Sequence, residues 1–157
     1  MSLGYSLESA NTNILKQMNK YISLEGFKAQ KQLLDEAGIA TLTSLVVGYP
    51  DETEATLKET FDFCYDLNMY PSTGYLLPQP ATPMYQYAIE YGYIDDEEAY
   101  LLQMGDRQDL RLNMTKIPSE RLEELVRNHL RRIRDKLKLP LDDEHLIKTG
   151  VVRQEVK

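Results

Sequence analysis

The chain has 157 residues, 42 % hydrophobic and 27 % charged, an ordinary balance for one soluble globular domain with its own core. Its formal net charge of −7 disfavours a polyanionic partner such as nucleic acid. No run approaches the ~18 apolar residues of a membrane span. Met1-Ser2-Leu3-Gly4 has neither a charged n-region nor a signal-type apolar region, so a cytoplasmic location is expected. The single Cys64 excludes an internal disulfide and any multi-cysteine metal site built within the chain.

In chain order, Tyr5-Ser6-Leu7 reads as a short strand that ends at Glu8-Ser9 and passes through Asn11 into a helix bearing Ile14, Leu15 and Met18. A second helix starts at the N-cap Ser23, groups Leu24, Phe27, Leu34 and Ala37 on one side, and stops at Gly38; Lys28, Lys31, Gln32 and Asp35 form its polar side. Ile39 to Val47 is rich in β-branched residues and reads as a strand buried on both faces, ended by Gly48-Tyr49-Pro50. Two caps then compete, Asp51 with Glu54 as a capping box or Thr53 alone, ahead of an amphipathic helix with Leu57, Phe61, Cys64 and Leu67. Thr73 to Leu77 is a further strand, closed by Pro78, Pro80 and Pro83; Met84, Ala88 and Ile89 suggest one or two helical turns after it.

From Asp95, with Glu98 completing a capping box, the chain becomes helical. A long amphipathic helix follows Pro118, with Leu122, Leu125, Val126, Ile133 and Leu137 as its apolar stripe and Arg121, Arg127, Arg131, Arg132, Arg134, Lys136 and Lys138 outward. Strand and helix in alternation, joined by short connections, indicate a parallel α/β sheet with crossover helices. The organisation expected is an α/β unit over residues 4–94, a helical extension over 95–138 and an irregular tail over 139–157.

Three segments stand out: Gly4-Tyr5-Ser6-Leu7-Glu8-Ser9-Ala10-Asn11, Leu45-Val46-Val47-Gly48-Tyr49-Pro50-Asp51-Glu52-Thr53, and Leu77-Pro78-Gln79-Pro80-Ala81-Thr82-Pro83-Met84-Tyr85. In this order they resemble the fourth, fifth and sixth strands of the radical S-adenosylmethionine superfamily and the turns that follow them. The resemblance covers roughly residues 4 to 138. Within the superfamily, Tyr5-Ser6-Leu7-Glu8-Ser9 and Lys16-Gln17-Met18-Asn19-Lys20 are most similar to the branch with an upstream cobalamin-binding domain, which includes methyltransferases and anaerobic magnesium-protoporphyrin ester cyclases.

The resemblance implies the last three β/α units of an open (β/α)6 barrel followed by a helical extension. It implies S-adenosylmethionine and a [4Fe–4S] cluster as cofactors of the intact enzyme, with cobalamin as a further candidate. It assigns cofactor contacts to Glu8 and Ser9 on the ribose and methionine side, to Ser44, Val46 and Gly48 along the adenosine, and to Leu77 at the adenine. The family's CxxxCxxC loop is absent, so the cluster-binding half is expected upstream in the same polypeptide, and the chain by itself is expected to be inactive. Where the family has glycine after Glu-Ser, after Gly-x-Pro and in the sixth-strand turn, this chain has Ala10, Asp51 and Ala81; any of these that needs positive φ is strained.

From its residues alone, Glu8 suits two roles, a ligand-facing carboxylate at a strand end or a capping or salt-bridged acid near Asn11. Cys64 falls on an apolar helix stripe and reads as a core residue. His129 and His145 lack metal-ligand spacing, so no metal site and no catalytic residue is assigned within the chain. The rival readings are a non-catalytic α/β interaction module and an RNA-binding accessory domain using the basic helix, whose acidic neighbours Glu120, Glu123, Glu124 and Asp135 dilute its charge. An amputated barrel leaves the Tyr5-Ser6-Leu7 strand with an unpaired edge, and a homo-oligomer that covers it is expected.

Overall fold

The computed structural model describes residues 2–105 and 107–147. In chain order they form β1 (Ser2–Gly4), α1 (Thr12–Gln17), α2 (Leu24–Glu36), β2 (Ala40–Val47), α3 (Glu54–Asp66), β3 (Pro71–Tyr75), α4 (Pro83–Glu90), α5 (Glu97–Gln103), α6 (Ser119–Leu137) and a 3-10 turn at Asp143–His145. The strands make one parallel sheet in the order β1-β2-β3. This is the α/β class expected, reduced to a small open sheet among the described residues.

The first strand sits earlier than Tyr5–Leu7 and is interrupted. Gly4 lies opposite Leu42 and Glu8 opposite Leu45, so four steps along the first segment match three along β2, and one residue is extra. Such a bulge bends a strand and re-aims its side chains. Across it the Tyr5 amide donates to the Leu42 carbonyl at 3.0 Å and the Leu7 amide to Thr43 Oγ1 at 3.1 Å. The third strand also begins two residues early, with Pro71 in first position, where a missing N–H is tolerated.

Helix starts follow local chemistry. Ser23 Oγ accepts the Gly26 amide, and Gly38 ends α2 at φ +67. The cap of α3 is Thr53, which exchanges hydrogen bonds with Thr56, so the pairing of Asp51 with Glu54 is not used. α5 is capped by Asp96 through the Ala99 amide, one residue later than expected. Lys31, assigned to the polar side of α2, is buried and paired with Asp35.

One sheet face carries the main core. Leu7, Leu45, Val47 and Tyr75 meet Phe61 and Cys64 of α3 and Val126, Leu130 and Ile133 of α6. Leu130 was absent from the expected stripe yet is fully buried. Leu76, Tyr85, Ala88, Ile94 and Met114 form a second cluster beneath α4. The segment after Leu137 is not a loose tail as far as it is described: Leu146 and Ile147 are buried in the main core, while residues 148–157 lie outside the described residues. The opposite sheet face is covered at Val46, which packs on the second cluster, and open nearer the strand starts, with Leu42 45 % exposed and Ser44 bonded to Ser6 at 2.8 Å. Parallel sheets are normally covered on both faces. No helix among the described residues is long and apolar enough to cross a membrane.

Two predictions follow from the core. The buried Tyr75 hydroxyl has no hydrogen-bond partner among the described residues, so Tyr75→Phe should raise stability by ~1 kcal/mol in thermal or urea unfolding. His129 stacks on Phe61 with ring centroids 5.0 Å apart; burial and then Arg132 hold its pKa below the ordinary 6.5, with Asp62 opposing. The unfolded chain therefore takes up this proton first, and stability should fall as pH drops below 6.5. Melting temperatures between pH 7 and 5 should fall more steeply for the wild type than for His129→Gln.

Candidate active site at the strand ends

The C-terminal ends of the three parallel strands lie side by side, which is where open α/β sheets bind ligands. Beyond the bulge, the Glu8 amide donates to the Ser44 carbonyl at 2.9 Å and the Val46 amide to the Glu8 carbonyl at 3.1 Å. The Leu76 amide then donates to the Val47 carbonyl at 2.6 Å. The backbone thereby pairs Glu8 with Leu45, between Ser44 and Val46, with Gly48 and Leu77 following at the ends of the second and third strands. A cavity of about 340 Å³ is lined among others by Tyr49, Leu76, Leu77, Gln79, Thr82 and Arg107; Leu77 is in its lining, whereas Glu8, Ser9, Ser44, Val46 and Gly48 are not.

The assigned residues divide by what their side chains do. The Glu8 carboxylate is mostly buried and 4.0 Å from Lys20 Nζ, while its backbone sits at φ 66, in the left-handed region. Asn11, not Glu8, caps α1. Gly48 occupies φ +114, which a side chain would strain. Val46 packs on the second cluster and Leu77 lines the cavity. The Ser9 hydroxyl is committed elsewhere, sharing a 3.1 Å bond with Thr60 Oγ1 and accepting the Asn11 amide. Ser44 donates to Ser6 on the open part of the opposite face.

Three further residues shape the cavity. The Tyr49 phenol is pushed up by burial, then by the negative charge of Glu8, with Arg107 opposing and Glu52 adding to the rise. The Arg107 carbonyl accepts the Tyr75 amide at 2.8 Å, and its Cβ lies 3.0 Å from where a Cβ on Gly74 would sit, so the loop after α5 closes on β3 at a glycine. Glu52, within the Gly-x-Pro turn, is only 3 % exposed and accepts the Gly48 amide at 2.5 Å and the Tyr49 amide at 3.3 Å. The sequence signal for Glu52 is an acid two residues after Gly-Tyr-Pro and one before the Thr53 cap. For Arg107, in an irregular loop, the sequence carried none.

The described residues do not fit an iron–sulfur cluster. Cys64 is buried in α3 with its thiol pushed up to about 12 by burial, and no group of three His, Cys, Asp or Glu is placed to hold a metal. The cavity has the size of a small-molecule site, within the ~300–1,000 Å³ range, and combines apolar Leu76 and Leu77 with the Tyr49 ring and a few polar groups.

The arrangement is that of an α/β protein with a small parallel three-stranded sheet and a cavity lined in part by the segments that follow its second and third strands. No family model matches the chain. It is 33 % identical over 88 residues to bacteriochlorophyllide d C-12(1)-methyltransferase of Chlorobaculum tepidum, covering 55 % of this chain and 19 % of that protein. It is 31 % identical over 90 residues to an uncharacterized methyltransferase of Pyrococcus horikoshii, covering 54 % and 19 %. It is 27 % identical over 139 residues to a tRNA-2-methylthio-N(6)-dimethylallyladenosine synthase of Treponema denticola, covering 83 % and 30 %. The chain thus spans less than a third of the length of each of these relatives. These partial similarities support a link to the radical S-adenosylmethionine superfamily at that level alone.

Of the three positions where the superfamily pattern has glycine, only Ala81 adopts positive φ, at 65, while Ala10 and Asp51 do not. Ala81 follows Pro80 in a turn closed by the Thr82 amide on the Gln79 carbonyl at 3.1 Å, a position that favours glycine. The left-handed conformation costs alanine ~1–2 kcal/mol, and glycine returns part of that as unfolded-state entropy. Ala81→Gly should therefore raise unfolding stability by about 0.5–1 kcal/mol, read from urea midpoints at constant slope.

Proposed function

We propose that this chain forms the nucleoside-binding side of the S-adenosylmethionine site in a radical S-adenosylmethionine enzyme. On this reading its sheet is the C-terminal part of an open parallel barrel whose other strands, with the cluster-binding cysteines, belong to the same polypeptide. The observation that supports the reading is the gathering at the strand ends of Glu8, bonded to Ser44 and Val46, of Gly48 at positive φ, and of Leu77, which lines the cavity. The open face around Leu42 and Ser44 fits a barrel interior that further strands would close. The strained backbone of Glu8 fits as well, since non-glycine residues in the left-handed region gather at functional sites.

S-adenosylmethionine, when bound with its cluster in the intact enzyme, supplies the radical chemistry, and the residues here bind and orient. Glu8 accepts from two ribose hydroxyls or one ammonium group, Val46 and Leu77 present apolar surface to the base, and Gly48 lets the backbone come close. Ser9 and Ser44 act as supports, their hydroxyls being engaged within the protein. The reaction we favour is transfer of a methyl or methylthio group rather than oxidative cyclisation, because the similar proteins are named as methyltransferases and methylthio synthases. The RNA reading of α6 is weaker: Arg121, Arg131, Arg132 and Arg134 each have a carboxylate partner, in Glu54, Asp143, Asp62 and Asp143 respectively.

The test is Glu8→Ala in a longer polypeptide that includes the cluster-binding cysteines, reconstituted without oxygen. Loss of a charge-assisted hydrogen bond should weaken S-adenosylmethionine binding at least about 10-fold by calorimetry. Unchanged affinity in a folded variant would remove Glu8 from the site.

A further inference from the structure

Glu52 is a buried carboxylate that pairs with no cation among the described residues and leans on backbone alone. Both of its acceptor bonds, from the Gly48 and Tyr49 amides, run to Oε2, and the Glu52 amide donates back to the Tyr49 carbonyl at 2.9 Å. The carboxylate and the turn thus close on one another, directly after β2 and directly before the Thr53 cap of α3. The turn held in this way is the one at φ +114 whose next residue, Tyr49, lines the cavity.

We propose that Glu52 is a positioning residue of the site: its carboxylate fixes the Gly48–Tyr49 turn, and through it the Tyr49 wall against which a nucleoside rests. This rests on the nucleoside reading above and goes beyond it by making ligand capture depend on the ionisation of a residue that does not line the cavity. The ionised carboxylate accepts both amides well; protonation weakens that acceptor and loosens the turn. Burial pushes the Glu52 pKa up to about 7, against the lowering effect of the two amides, so the change falls in the neutral range. The other ionisable groups around the turn are Glu8 and Arg107, which act on the Tyr49 phenol, Asp51, bonded by Gln17, and Glu54, bridged to Arg121. The influences on Glu52 itself are burial and the Gly48 and Tyr49 amides.

The first measurement needs no variant. In proton–nitrogen spectra of the wild-type chain, the Gly48 and Tyr49 amide shifts should titrate together with a midpoint near 7, and in Glu52→Gln they should be flat. The second uses S-adenosylhomocysteine as probe. Its dissociation constant should rise about 10-fold between pH 8 and pH 6 in the wild type, as the ionised fraction falls, and stay constant with pH in Glu52→Gln. Gly48 and Tyr49 amides that do not titrate would overturn the proposal, as would a pH-independent affinity or an unchanged pH profile in the variant. Failure of the probe to bind at any pH, with both amides titrating, would instead overturn the nucleoside reading on which it rests.

Discussion

The structure at the strand ends depends on the parallel register between the Glu8 segment and β2. Two backbone bonds, Glu8 N–H to the Ser44 carbonyl and Val46 N–H to the Glu8 carbonyl, set it after a one-residue bulge. The bulge matters because a strand alternates its faces residue by residue. Without the extra residue, Glu8 would pair with Val46 in line with Leu42 and Ser44; with it, Glu8 pairs with Leu45 and its backbone takes the left-handed conformation. Leu7 lies in the main core, and Glu8 is bonded through its backbone to both Ser44 and Val46 and acts on the Tyr49 phenol. The same register carries on through Val47 to Leu76, so the first and third strand ends are aligned through the second.

What could be read from the sequence followed the strength of the local signals. Serine before a hydrophobic period and glycine after it marked both ends of α2, and β-branched density marked β2. Strand limits were less legible: Pro71 and Ser72 look like a loop, and only pairing with Thr43 and Ser44 makes them a strand. The first strand was misplaced for the same reason, since Ser2–Gly4 has no periodicity of its own and is held by its neighbour alone. Charge places Lys31 on the polar side, whereas in the structure it is buried with a carboxylate partner one helical turn away. At the site, the order of the three segments was visible, but the commitment of Ser9 to Thr60 was not, because it spans 51 positions.

The basic face of α6 shows how a charge pattern can be spent internally. Arg127 donates to the Asp143 carbonyl at 3.0 Å, and Arg131 and Arg134 both reach the Asp143 carboxylate at 2.8 Å. These exposed bonds are individually weak. Together they hold the turn at Asp143–His145 on the helix, which delivers Leu146 to the core, where the Tyr70 hydroxyl donates to its carbonyl at 2.8 Å. A stripe that reads as a surface for polyanions is in this chain the clasp for its own C-terminal segment.

The distribution of backbone strain separates structural from functional constraint. Among the described residues, Asn19, Gly38, Asn68, Gly92 and Lys138 have positive φ, and each stands where a helix ends, the ordinary place for the left-handed conformation. The remaining cases are Glu8, Gly48 and Ala81, and all three lie in the segments that follow the three strands. Two of them are not glycine and lose stability by it. Glu52 adds a cost of the same kind. With its pKa raised, the folded chain keeps a proton that the unfolded chain has released, so stability falls as pH rises from 4.5 to about 7. His129 acts in the opposite sense and lies at the α3–α6 interface, away from the strand ends. Strain and a buried carboxylate thus gather at one edge of a small sheet whose other side is conventionally packed, and packing alone gives no reason for them to do so. A binding surface does, because it must hold its backbone open toward a ligand where a core would let it relax.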